Sequence, residues 1–157
     1  MSYQLLVGAH AFLGEAGALA FLWVFVELLK PDEARVKRAK LASAAGVLFL
    51  FLSWLAGGYA YTTTYGEQVK PVIKGGPLPW AHEVVMETKE HVFLFVPFIA
   101  FAGAAAIRLG GNRLAGDAEL RFSVLLLSAL VVLLVFVIAG MGYGVSTGAR
   151  AALEAGA

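Results

Sequence analysis

His10 and His91 carry the pairing best suited to chemistry in this 157-residue chain. Each opens the same short pattern, His10-Ala-Phe-Leu and His91-Val-Phe-Leu. Both stand within or at the start of a long apolar run. An ionisable side chain there is costly and marks a functional site by default. A single imidazole could serve only to bond a carbonyl across a bundle. Two at matching places argue for a shared ligand. Neutral imidazole is the common axial ligand of haem iron, so haem b held between His10 and His91 is the first expectation. The alternative is a non-haem ion. On an ideal helix Glu87 lies one turn before His91, and His10 would complete a set of two histidines and a carboxylate for iron, zinc or copper. A di-iron bundle of the ferritin kind is less favoured, since it needs carboxylates from all four helices.

The neighbouring residues divide by role. Trp80-Ala-His-Glu-Val-Val-Met-Glu-Thr-Lys-Glu-His91 crowds two histidines and three glutamates into twelve positions. Glu83 and Glu90 read as a solvated first turn, where acids suit the helix dipole. His82 lies nine residues before His91, half a turn round the helix, and reads as an interfacial residue for docking a partner or moving a proton. Glu15 sits deeper, as a proton acceptor or a hydrogen-bond partner for a ligand. Glu27 is expected to snorkel toward Lys30 and water. Gly14, Gly58 and Gly142, among other glycines at the histidine level, leave room for a macrocycle. Tyr59 and Tyr143, with Phe12 and Phe93, could pack on it. Lys89, with Lys70, Lys74 and Arg150, could meet its propionates.

Elements able to hold such a site follow from composition. Hydrophobic residues make up 60% of the chain and charged residues 15%, too little charge for an ordinary soluble domain. Four apolar segments, roughly 4–29, 41–61, 84–107 and 122–145, each reach the twenty or so residues that cross a bilayer as a helix. The runs are too long for barrel strands and do not alternate. The expected fold is an all-α membrane protein, a bundle of four transmembrane helices forming a single domain over 1–157. The N-terminus lacks a basic n-region and a small-residue cleavage site, so it reads as a retained first span.

A repeat runs through these elements. Span two ends in Gly58-Tyr-Ala-Tyr-Thr-Thr and span four in Gly142-Tyr-Gly-Val-Ser-Thr. With the histidine patterns, these define a tandem repeat of two helical hairpins, at offsets of 81 and 84 residues. Same-topology hairpins are related by an axis along the membrane normal. Eight of the twelve Lys and Arg residues fall between spans one and two or three and four. The positive-inside rule then places both termini and a 62–80 loop outside the cytoplasmic (inner) membrane.

In plan the chain resembles four-helix membrane cytochromes b, with histidine ligands on two helices and glycines beside the ring. That resemblance implies an electron carrier or complex subunit rather than a stand-alone enzyme. Its partners would be a quinol or an extracytoplasmic electron-transfer protein, in addition to membrane lipid, and a homodimer or a larger membrane complex is compatible. A cofactor-free structural subunit of a respiratory or photosynthetic complex is the third reading. Net charge of +1 without a basic run argues against nucleic acid. The absence of cysteine excludes disulfides, thiolate metal sites, covalent haem and iron–sulfur clusters.

Overall fold

The computed structural model describes residues 2–156, and among these there is no strand. Helix α1 spans Tyr3–Leu29, α2 Glu33–Ala60, α3 Lys70–Gly75, α4 Glu87–Gly110, α5 Arg113–Gly116 and α6 Ala118–Glu154. Two π-helical segments, Tyr61–Val69 and Ala81–Met86, join α2 to α3 and lead into α4. Three of the four long helices, α1, α2 and α6, start where the sequence supplies a cap. Ser2 Oγ accepts from Leu5 N–H at 3.3 Å, Asp32 Oδ1 from Arg35 N–H at 2.7 Å, and Asp117 Oδ1 from Leu120 N–H at 3.0 Å.

Four helical stretches are long and apolar enough to cross a membrane: Tyr3–Leu29, Glu33–Gly75, Ala81–Gly110 and Ala118–Glu154. Two run well past their apolar parts. The segment expected as a 62–80 loop stays helical to Gly75, leaving only a short connection before Ala81. Hydrogen bonding along the axis needs no apolar side chains, so a helix continues through YTTTYGEQV once it leaves lipid.

The bundle is a ring. Helix α1 packs on α2 and α6, and α4 packs on the same two, so α1 faces α4 and α2 faces α6 across the diagonals. Equivalent helices of the two hairpins are thus diagonal to one another, as a two-fold axis along the bundle requires. The buried faces repeat as well. Ala39, Ser43, Gly46, Leu50 and Ser53 of α2 match Val124, Ser128, Val131, Val135 and Ile138 of α6 at an offset of 85 residues. Gly17, Phe21 and Val24 of α1 match Ala100, Ala104 and Ile107 of α4 at an offset of 83.

That register corrects the sequence pattern. His10 and His91 are 81 residues apart, two short of the structural offset. Two residues turn a helix by about 200°, so the H-x-F-L motifs face opposite ways. His10 is half-buried and Phe12 is 69% exposed, whereas Phe93 points inward and His91 lies exposed on the outside of α4.

Two apolar clusters hold the ring. Val24, Leu28, Val36, Ala39, Ile107, Leu114 and Val124 fill the end away from the termini. Ala18, Phe21, Leu50, Val96, Ala100, Val131, Val135 and Ile138 fill the middle. Close approach of α1 and α2 depends on Gly17 and Gly46. A Cβ on Gly17 would meet Leu50 Cγ at 2.6 Å, and one on Gly46 would meet the Phe21 ring at 2.8 Å. Glu27 does not reach toward Lys30. It receives Arg38 Nε at 2.7 Å, Arg38 Nη2 at 3.0 Å and Trp23 Nε1 at 2.9 Å. The planar guanidinium matches a carboxylate at two points, which an ammonium does not.

Candidate functional site

Toward the end carrying both termini, the ring opens into a cavity of about 860 Å³ bounded by all four long helices. This is the upper range for small-molecule sites, which run from about 300 to 1,000 Å³. The walls are mainly apolar, with His10, Ser53, Tyr61, Tyr65, Lys89 and Glu90 among the polar groups. Exposed residues at its edge, including Glu15, Leu55, Tyr59, Leu94 and Tyr143, show that it opens sideways onto the outer face of the bundle.

His10 is fixed here by α2. Its Nδ1 lies 2.9 Å from the Ser53 carbonyl, which can only accept, so Nδ1 carries the proton. Ser53 Oγ donates to the His10 carbonyl at 2.7 Å and lies 3.0 Å from Nδ1. In the neutral imidazole a proton on Nδ1 places the lone pair on Nε2. No hydrogen bond engages Nε2 among the described residues. The ring lies flat against the backbone at Gly57, where a Cβ would come within 2.7 Å of Nδ1. Across the diagonal, Phe93 meets the imidazole edge-on, with centroids 5.2 Å apart. Metal-ligating histidines are held in this way, one ring nitrogen bonded to a carbonyl and the other available.

On α4, Lys89 lines the cavity with its ammonium 5.6 Å from the Phe93 centroid, a cation–π arrangement. Glu90 is not in a solvated turn. Its Oε1 is buried on the cavity wall, and the Tyr61 phenol on the same wall can donate to the carboxylate.

The residues predicted from sequence separate clearly. His10, Gly14, Gly58, Tyr59, Lys89, Gly142 and Tyr143 all border the cavity. His91 does not. Its Nδ1 donates to the Glu87 carbonyl at 2.6 Å on the exposed side of α4. The proposed set of His10, His91 and Glu87 is not assembled either. Glu87 Oε1 turns to His82 Nε2 at 3.4 Å, and among the described residues no three His, Asp or Glu side chains gather as a metal site. His82, expected at the interface, is only 2% exposed and bonded to Tyr65.

Sequence reasoning missed Ser53, Tyr61, Tyr65 and Met86 as site residues, all on the cavity wall. The Gly103-Ala104 pair and Ala100 offered a signal. Stepping back from them by three or four residues gives Val96, Phe93 and Lys89 or Glu90, a stripe that never includes His91. No protein-family model, curated protein or solved structure matches this chain.

Proposed function

We propose that the protein is a membrane electron-transfer protein that binds one haem b in this cavity, with His10 as the axial ligand. The observation that carries the reading is the His10 imidazole, pinned through Nδ1 to the Ser53 carbonyl and presenting Nε2 beside a cavity of about 860 Å³. The residues fit one histidine ligand, not the two of a bis-histidine site. Met86 is the cavity's thioether, and methionine is a known partner to histidine in cytochromes. Haem, when bound, supplies a reversible one-electron couple. The chain does the rest. Ser53 fixes the tautomer, Gly57 gives the ring space, and Phe93 excludes water from one side. Lys89 supplies a cation for a propionate. The lateral opening gives a quinol access from the lipid, and the cationic loops orient the termini to the outer side of a cytoplasmic membrane.

A quinone held directly in the cavity is the second reading, favoured by the lateral opening and by tyrosine donors beside an apolar wall. The two separate on one preparation. The protein purified in detergent is scanned before and after dithionite, with haemin added if it is colourless, and its organic extract is assayed for quinone. A Soret band with sharp reduced α and β bands is expected. A preparation that rejects haemin and yields stoichiometric quinone supports the second reading and excludes the first.

A further inference from the structure

Beside the cavity, three side chains from different elements connect its wall to the surface. Tyr65, on the π-helical segment after α2, lines the cavity and is 2% exposed. Its hydroxyl lies 3.1 Å from His82 Nδ1. His82, on the π-helical segment before α4, is equally buried, and its Nε2 lies 3.4 Å from Glu87 Oε1. Glu87, the first residue of α4, has a 45% exposed side chain. Burial falls along the row, from the cavity wall to the surface.

The local backbone makes this arrangement. The Glu87 N–H reaches back to the His82 carbonyl and the Lys70 N–H to the Tyr65 carbonyl, both five residues away. Such π turns are rare and concentrate at functional sites. Gly148 of α6 lets the second of them dock, since a Cβ there would stand 2.5 Å from Ala81 Cβ. Tyr61 stacks on Tyr65 with centroids 5.3 Å apart and holds the phenol in line.

A Glu87 carboxylate can only accept, and its oxygen 3.4 Å from His82 Nε2 favours the proton there, which leaves Nδ1 to accept from the Tyr65 hydroxyl. A buried histidine set between two titratable groups, one facing a cavity and one facing water, is more than packing requires. The groups around it are Lys70, Lys74, Glu83 and Glu87, with Lys74 and Glu83 paired to each other at 3.7 Å. Tyr3, Tyr61 and Glu90 face Tyr65.

We infer that Tyr65, His82 and Glu87 form a proton relay between the cavity and the surface at the end carrying the termini. The steps balance. As the His82 Nε2–H bond breaks and a Glu87 O–H bond forms, the Tyr65 O–H bond breaks and an Nδ1–H bond forms. Tyr65 then takes a proton from the cavity, and Glu87 releases one to water. One proton crosses, and the imidazole is left as its other tautomer, which is reset when Nδ1 loses its proton to water and Nε2 gains one from water. The inference rests on the cavity being the ligand site, since a relay needs a proton source at its inner end.

Two readouts test it on the full chain in nanodiscs. Nitrogen-15 NMR of histidine-labelled protein should show His82 protonated at Nε2 and bare at Nδ1. Glu87→Gln should slow exchange of that proton with water on the order of a hundredfold, the usual scale of a lost acid–base partner. A proton found on Nδ1, or unchanged exchange in Glu87→Gln, overturns the relay. In haemin-loaded protein, proton uptake on dithionite reduction is followed with a pH-indicator dye. Tyr65→Phe, which keeps the ring and its stacking, should slow uptake without altering the reduced spectrum. Equal uptake in Tyr65→Phe and wild type overturns the relay while leaving haem binding intact. Failure to take up haemin counts against the haem reading alone, and the NMR result then decides the relay.

Discussion

The two halves of the bundle share a backbone plan and differ in what the plan is used for. Away from the termini, symmetry-related positions carry alike residues. Ser43 and Ser128 are both buried, each donating to a carbonyl of its own helix, and Val24 faces Ile107 within one apolar cluster. Toward the termini the same register sets His10 against Phe93, and the ring parts into a cavity. Equivalent places no longer carry alike chemistry. A fold assembled from two similar hairpins is stabilised by the half that keeps the repeat and is available for ligand binding in the half that breaks it.

Mutations can break or sharpen that contrast. The largest effect is expected in the packed half. Phe21 is fully buried, and Phe21→Ala should destabilise the bundle by about 3–5 kcal/mol in denaturant unfolding in detergent. Haem absorbance per folded molecule should be unchanged. Gly57→Ala comes next. Its new Cβ presses on the imidazole at a helix backbone that cannot retreat, so a cost of about 1–3 kcal/mol is expected, with a marked loss of haemin affinity. Ser53→Ala removes one donor and should cost about 1 kcal/mol. Its sharper signature is at His10, where NMR should still show Nδ1–H, because the Ser53 main-chain carbonyl that accepts this proton is kept. His91→Ala is expected to be smallest, within about 0.5 kcal/mol, because the side chain lies on the exterior. A larger cost for His91→Ala than for Gly57→Ala would mean that the two hairpins are symmetric at the cavity after all.

Much of the fold was legible because lipid imposes strict rules. Long apolar runs must be helices, and four such runs with short connections must form a bundle. Helix ends were less legible. Residues 62–75 carry no apolar run, yet hydrogen bonding continues through them. The π turns leave no compositional trace at all. Of the glycines, tyrosines and charged residues singled out at the histidine level, Gly14, Gly58, Gly142, Tyr59, Tyr143 and Lys89 border the cavity, with His10. The pairing of His10 with His91 went astray for a phase reason. Matching identities gave an offset of 81, whereas the buried stripe, set by small residues at Gly17, Ala100 and Ala104, runs at 83. His82 was separated from His91, but of the two it is His82 that is buried, because the π-helical segment before α4 carries it onto Tyr65.

The most direct test of the central claim is a haemin titration of three proteins in the same detergent: wild type, His10→Ala and His91→Ala. Wild type and His91→Ala should bind one haem with the same reduced spectrum, and His10→Ala should lose it. Loss of haem in His91→Ala, or retention of an unaltered spectrum in His10→Ala, would contradict the assignment of His10 as the ligand.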